Sequence, residues 1–244
     1  MHEMSLIVPC RNDAAVLMDT LSALHQIVTY NSYTVETLVV DDNSSDNTIE
    51  VAKQAALKFP ALHVRIFHRE HLQPGLGGVL RYALAFSMSR FAVLVSSDGQ
   101  DPVELLPAFV RHLRSGKHLV QCSRYLREED EKALPAKYRA YQYIYRFATK
   151  FILGQSAADT TYGFRAFDRT FIQALGLSTK GFNVCPEMTF KVMLCGGAIE
   201  YVPGKPRAFH QGGQDKFRLA HEIWGYAYVL ARAGLHRAGI WRWF

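Results

Sequence analysis

The feature that most constrains this chain is a repeated alternation through its first half: short apolar runs, each closing on a polar cluster, separated by stretches of helical spacing. MSLIVP at residues 4–9 reads as a strand, and Ala15, Leu17, Leu21, Leu24 and Ile27 then recur at helical intervals. Residues 34–40 form a second strand pattern, and 45–59 a helix headed by a Ser/Asp/Asn cluster suited to an N-cap. Strands over 62–67, 91–95 and 118–122 enclose helices over 79–89 and 103–114. Such an order predicts an α/β fold with a mostly parallel, doubly wound central sheet flanked by helices. In sheets of this kind the ligand crevice lies at the carboxyl ends of the strands. The polar clusters fall there: Arg11-Asn12-Asp13, Asp41-Asp42-Asn43, the stretch from Ser96 to Asp101, and Ser123-Arg124.

The second half is less regular. Residues 128–137 are highly charged and read as a loop, and 138–153 as a long aromatic-rich helix. A turn and strand follow over 159–167, a helix over 182–194 around Pro186-Glu187, and a strand over 198–202. Residues 206–218 are glycine-rich and basic. Residues 219–244 form a helical tail ending in Ile240-Trp241-Arg242-Trp243-Phe244. With no linker visible, the expected organisation is one domain over 1–218 and a C-terminal amphipathic appendage over 219–244.

The formal net charge of +6 suits phosphorylated small molecules, an anionic membrane surface or nucleic acid. The cationic residues follow strand ends and loops rather than lining one helix face, which argues against nucleic acid. No stretch reaches the ~18 apolar residues of a membrane span. The opening residues run straight into a strand pattern, so no signal peptide is expected. The four cysteines lack CxxC spacing and read as reduced core thiols, so the expected setting is cytoplasmic.

Two clusters carry the candidate chemistry. Asp41-Asp42-Asn43 can accept from ribose hydroxyls or a base N–H, while Ser45 or Asp46 caps the next helix. Ser96-Ser97-Asp98-Gly99-Gln100-Asp101 offers hard oxygen donors of the kind that bind Mg²⁺ or Mn²⁺ together with substrate phosphates. Arg124, Arg139, Arg207, His210 and Lys216 are candidate phosphate-binding cations. The loop from Pro74 to Gly78 has neither Walker nor GxGxxG spacing and reads as a tight turn into a helix. The tail mixes Trp and Tyr with Arg, a composition fit either for packing or for a membrane interface.

Taken in order, the stretches SLIVPCRNDAAVL, ETLVVDDNSSDNT, PGLGGVLRYALAFS, LVSSDGQDPVEL, VQCSRY, ADTTYGFRAFDR, the segment around Cys185-Pro186-Glu187, and GGQDKFRL resemble family 2 glycosyltransferases of the GT-A fold. Within that family they are most similar to the dolichol- or polyprenyl-phosphate sugar synthases. The resemblance implies a nucleoside-diphosphate sugar donor (GDP- or UDP-linked), a polyprenyl-phosphate acceptor, inversion at the sugar, and Mg²⁺ or Mn²⁺ as cofactor. It implies that Pro9, Arg11 and Asp13 contact the nucleotide base, and that Asp42 reads base or ribose. Ser97 and Asp98 belong to the metal motif, assisted by Gln100. Arg124 and Arg139 would hold phosphates, with His210 and Lys216 near the acceptor phosphate. The chain departs from the family pattern at Ser96, where the first aspartate of the DXD motif is usual. It departs again at His210, where an arginine is usual, and at Arg11 and Asp13, usually tyrosine and glutamate.

Two other readings follow from the same residues. A same-fold transferase could use a glycan or glycolipid hydroxyl, with Glu187 or Asp101 as general base. A catalytically silent nucleotide-sugar binder is the other. A peripheral position on the cytoplasmic face of a membrane, with or without a membrane-anchoring partner subunit, completes the expectation.

Overall fold

The computed structural model describes residues 2–70, 72–132, 134–207 and 219–244, with backbone only at 219–221. Seven strands form one sheet: β1 (Met4–Cys10), β2 (Val35–Asp41), β3 (Val64–His68), β4 (Phe91–Leu94), β5 (Leu119–Ser123), β6 (Arg165–Asp168) and β7 (Ile199–Pro203). Their order is β3-β2-β1-β4-β6-β5-β7. β1 pairs in parallel with β2 and β4, β2 with β3, and β5 with β7. β6 runs antiparallel to both β4 and β5. The mostly parallel sheet expected from the alternation is present, with one reversed strand wedged between the fourth and fifth.

Alternation along the strands sets the two faces. Met4, Leu6, Val8 and Cys10 of β1 point into a core shared with α1 (Leu17–Tyr30), α2 (Thr48–Lys58) and α4 (Leu106–Arg114). Ile7, with Leu38 and Val40 of β2, points to the opposite core, built with α3 (Leu76–Phe86), α7 (Arg169–Ala174) and α8 (Val184–Leu194). Cys10, Cys122 and Cys185 are buried thiols and Cys195 is exposed. The chain leaves β1 toward β2 and later returns to β1's other side with β4, which creates a switch point between β1 and β4. That is where an open α/β sheet leaves a crevice for ligand.

A third cluster joins α8 to α6 (Ala136–Leu153) and α9 (Leu219–Arg237) through Tyr145, Phe190, Met193, Tyr226 and Val229. The tail is therefore packed on the body, and its last residues return to Lys191, whose Nζ lies 5.0 Å from the Trp243 ring centroid and 5.2 Å from that of Phe244. The charged stretch read as a loop contains a short helix, α5 (Glu128–Lys132), in which Asp130 is buried. Four successive acidic residues in its first turn suit the positive end of a helix dipole, a local effect that charge composition alone conceals. Among the described residues no helix is long and apolar enough to cross a membrane.

Candidate active site

The loops after β1 and β2 are tied together at the rim. Asn12 and Asn43 adopt left-handed backbone, at φ 55° and 62°, a conformation asparagine tolerates better than most residues. Asn12 Oδ1 accepts from the Ser45 amide at 2.7 Å, and the Ser44 hydroxyl accepts from the Asn12 amide at 2.9 Å. Asp46 accepts from the Thr48 amide at 3.0 Å and the Ala14 amide at 3.1 Å, so it caps α2 and anchors the neighbouring loop. Pro9, next to last in β1, is half-buried, and Arg11 is exposed on the rim.

Asp13 lies deeper. It accepts from its neighbour Arg11's amide at 2.8 Å and from the Ser97 hydroxyl at 2.7 Å, while its own amide donates to Thr48 Oγ1 at 2.9 Å. It thereby bridges the β1 loop, α2 and the polar stretch after β4. Asp42 also turns inward, 5% exposed. Its carboxylate accepts from Arg69 Nη1 at 2.5 Å and from the Gly75 amide at 2.7 Å. Asp13 and Asp42, both expected at the nucleoside, are thus engaged within the protein. Buried carboxylates need partners, and these two find them in the protein, where they align the loops.

Asp98 behaves differently. It is half-buried, and among the described residues its oxygens accept hydrogen bonds from Gln100, through the backbone amide at 3.0 Å and Nε2 at 3.1 Å. Asp101, 4% exposed, accepts from the Ser96 amide at 2.6 Å and the Tyr162 hydroxyl at 2.8 Å. Burial pushes its carboxyl up to about 7, opposed by those two hydrogen bonds; the Asp98 charge raises it further and Arg124 lowers it. One buried group thus senses Asp98 and Arg124 together. Residues 203–207, which lead into the glycine-rich segment, come back to this turn, where the Arg207 amide donates to Gln100 O at 2.7 Å.

Arg124, at the end of β5, is locked to the fully buried Asp159 by Nε–Oδ2 at 2.7 Å and Nη2–Oδ1 at 3.0 Å. Nη2 also donates to Thr161 Oγ1 at 2.9 Å, and Gln142 of α6 donates to the same hydroxyl at 2.5 Å. The guanidinium lies 4.9 Å from the Tyr162 ring centroid. Burial disfavours its charge, but Asp159 outweighs burial, so Arg124 is held firmly cationic. Arg139 sits in the first turn of α6, half-buried, and its Nε is buried with no hydrogen-bond partner among the described residues.

Glu187 does not belong to this rim as a proton acceptor. It is fully buried and accepts four hydrogen bonds, from the amides and hydroxyls of Ser178 and Thr179 at 2.6–2.8 Å. It also pairs with Lys191 Nζ at 3.1 Å. Burial works to raise its pKa, but these hydrogen bonds and Lys191 hold it below the usual range. A carboxylate so engaged is a poor base, and its work is to shape the 178–180 loop. His210 and Lys216 lie outside the described residues. Asp159, Thr161 and Tyr162 were invisible as site residues in the sequence, because a single aspartate in a Thr-rich turn carries no spacing signal.

No group of three His, Cys, Asp or Glu among the described residues is placed to hold a metal ion. The donors do fit a hard dication that takes one carboxylate, retains water and shares substrate phosphates. Asp98 is the carboxylate with spare lone pairs, and Gln100 supplies an amide oxygen beside it.

A carboxylate and amide after β4, a fixed arginine after β5 two strands across the sheet, and a crevice at the switch point fit a GT-A-type glycosyltransferase. The chain belongs to glycosyl transferase family 2, whose model matches residues 5–176. It is 30% identical over 203 residues to the undecaprenyl-phosphate mannosyltransferase of Micrococcus luteus, covering 81% of this chain and 80% of that one. It is 27% identical over 204 residues to the polyprenol monophosphomannose synthase of Mycolicibacterium smegmatis, covering 81% and 75%. The fold also matches glucosyl-3-phosphoglycerate synthase from Mycobacterium tuberculosis, solved with Mn²⁺, uridine diphosphate and glucosyl-3-phosphoglycerate. That match has a TM-score of 0.68 at 21% identity over 99% of this chain and 82% of the other.

Proposed function

We propose that this glycosyltransferase moves a hexose from a GDP- or UDP-linked donor to a polyprenyl phosphate, with inversion at the anomeric carbon. The observation that carries the reading is Tyr162, whose hydroxyl donates to Asp101 at 2.8 Å in the turn that holds Asp98 and whose ring centroid lies 4.9 Å from the Arg124 guanidinium, so that the acidic turn after β4 and the fixed cation after β5 meet. The names of the two sequence relatives support the lipid-phosphate acceptor.

An oxygen of the acceptor phosphate attacks the anomeric carbon as the bond from that carbon to the donor's diphosphate oxygen breaks, releasing the nucleoside diphosphate. A phosphomonoester is mostly ionised at neutral pH, with a second pKa near ~6, so no protein base is required. Asp98 and Gln100 would hold the Mg²⁺ or Mn²⁺, which would supply charge neutralisation at the diphosphate. Arg124, aimed by Asp159, opposes the charge that builds on the leaving group. Arg139, whose buried Nε has no partner among the described residues, together with His210 and Lys216, holds the acceptor phosphate against the anionic donor. Pro9, Arg11 and the loops braced by Asp13, Ser97 and Asp42 orient the nucleoside. A lipid acceptor is reached from the cytoplasmic membrane face, through surface attachment or a membrane-anchored partner subunit.

The test is transfer from GDP- and UDP-sugars to short-chain polyprenyl phosphate, with Mn²⁺ and with EDTA. Turnover needing the cation and the phosphorylated lipid supports the reading. Turnover untouched by EDTA removes the cation from it, and label on a glycan hydroxyl instead moves the acceptor to a class in which Asp101 is the base within reach.

A further inference from the structure

The chain holds a second concavity apart from the catalytic rim. A cavity of about 490 Å³ lies between the 178–183 loop and α9, and Ser178, Lys180, Asn183, Glu222, Tyr228 and Arg232 line it. That size suits a small molecule. Asp98, Gln100, Arg124 and Arg139 do not line it. Loop and helix pass one another in opposite directions. Arg232 Nη1 lies 3.5 Å from Ser178 Oγ, while a Cβ on Gly181 would lie 3.8 Å from Glu222 Oε2 and one on Gly225 would lie 3.2 Å from Asn183 Nδ2. Ten residues of helix, ~15 Å, separate Glu222 from Arg232, so the cavity has a cationic end and an acidic end.

The Arg232 guanidinium lies 5.6, 4.8 and 5.2 Å from the ring centroids of Tyr228, Trp241 and Trp243. The rings hold the cation in place without neutralising it, and its Nε is buried with no hydrogen-bond partner among the described residues. Asn183 leads α8 without a side-chain cap hydrogen bond, so its amide is left to face the cavity. An arginine fork beside a hydroxyl suits a phosphate. An amide and a carboxylate suit sugar hydroxyls, and the exposed Tyr228 ring offers a flat apolar face. We infer that this cavity binds a phosphorylated sugar apart from the donor crevice, its phosphate on Arg232 and Ser178 and its hydroxyls toward Asn183 and Glu222.

Lys180 links the cavity to the donor side. Its Nζ donates to Gln73 Oε1 at 2.6 Å, its carbonyl accepts from the Gly77 amide at 2.7 Å, and the Gly75 amide between those two points holds Asp42 at 2.7 Å. A phosphate that draws Nζ into the cavity takes it from Gln73 and loosens the 73–77 loop. Occupancy therefore lowers nucleotide affinity, and by linkage nucleotide lowers sugar-phosphate affinity by the same factor. This coupling rests on the nucleotide-sugar donor proposed above; the cavity does not.

The experiment is titration calorimetry of the full chain with glucose 6-phosphate, inorganic phosphate and glucose. Glucose 6-phosphate should bind more tightly than phosphate, and glucose alone should not bind measurably. Arg232→Gln should weaken binding by at least about tenfold, the scale of one charge-assisted hydrogen bond. Asn183→Ala should weaken glucose 6-phosphate but not phosphate, with an unchanged Tm. Hydrogen exchange at the Gly75 and Gly77 amides should quicken on binding in the wild type and not in Gln73→Ala. With UDP or GDP present, the apparent Kd for glucose 6-phosphate should rise and then level off. A rise without limit puts both ligands in one site and overturns the inference. So do absent wild-type binding, wild-type affinity in Asn183→Ala, phosphate binding as tightly as glucose 6-phosphate, or full displacement by short-chain polyprenyl phosphate, which would give the cavity to the acceptor. A wild type that binds neither nucleotide counts against the donor reading, while exchange at Gly75 and Gly77 still decides the coupling.

Discussion

Asp159 grips Arg124 with both carboxylate oxygens, at 2.7 and 3.0 Å, and is itself completely buried. The pair fixes the arginine after β5 as a planar cation whose Nη2 also reaches Thr161 Oγ1 and whose guanidinium lies against the Tyr162 ring. Removing one member of a buried pair leaves the other charge uncompensated, at a cost of about 3–5 kcal/mol. Asp159→Asn should therefore lower Tm markedly and reduce kcat, while Arg124→Lys, which keeps the charge but loses the fork, should reduce kcat with a smaller loss of Tm. Calorimetry and steady-state kinetics on both variants check this. An Asp159→Asn enzyme with wild-type Tm and kcat contradicts the assignment of Asp159 as the positioning residue.

Asp98 has the opposite character. Among the described residues its hydrogen bonds reach Gln100, two residues along the chain, and tie no distant segment to it. Asp98→Ala should leave Tm within about 1 kcal/mol of wild type in stability. Activity should fall by roughly 10²-fold or more, the usual scale for losing one electrostatic contact to a developing charge. Titrating Mn²⁺ against the variant should show a weakened response. A variant that keeps full, cation-dependent turnover would assign the metal elsewhere.

Asp101 gives a pH dependence with a definite sign. Its folded carboxyl titrates at about 7 against an ordinary value of 3.8, so across that window the native state holds a proton the unfolded chain has lost. Stability from this group is complete below the ordinary range and declines as pH rises through about 7. Wild-type Tm should fall between roughly pH 4 and 7 and level off above, and Asp101→Asn, which cannot ionise, should flatten that segment of the curve. Because the Asp98 charge adds to the upward push, Mn²⁺ at Asp98 should move the decline to lower pH. Thermal melts across pH, with and without Mn²⁺, decide it.

Much of this fold was legible because strands and helices write different periods into the sequence. The strand patterns ending at Pro9, Val40 and Val95 matched β1, β2 and β4 to within a residue at their carboxyl ends, which is why the rim was located correctly. Periodicity says nothing about direction, so the reversal of β6 was hidden. That strand carries the fully buried Arg165, whose Nη1 donates to Cys185 O at 2.8 Å and Nη2 to Thr160 O at 3.2 Å. Residue type also cannot tell a ligand carboxylate from a brace. Asp13, Asp42 and Glu187 all read as chemistry, yet each is drawn into protein hydrogen bonds that only tertiary structure supplies. Asp98 looked weaker in isolation and has the freer carboxylate.

The glycine loop before α3 is the last case, and its role follows from space rather than from phosphate. A Cβ on Gly77 would lie 2.1 Å from Thr179 O, and one on Gly75, at φ 145°, would lie 2.5 Å from Lys180 O. The Gly77 amide donates to Lys180 O at 2.7 Å and the Gly75 amide to Asp42 at 2.7 Å, so the loop is clamped between β2's end and the segment shaped by Glu187. Both obstructing atoms are backbone oxygens, which cannot swing aside as a flexible side chain would. Gly77→Ala should therefore push the 178–180 loop outward, loosen the hydrogen bonds that Ser178 and Thr179 make to Glu187, and destabilise the fold by more than the ~1 kcal/mol scale of ordinary helix propensity, against which alanine alone would be a gain. Urea unfolding measures the effect. A neutral or stabilising Gly77→Ala, with the nucleotide affinity reduced instead, would return this loop to the phosphate-binding role that its spacing does not support.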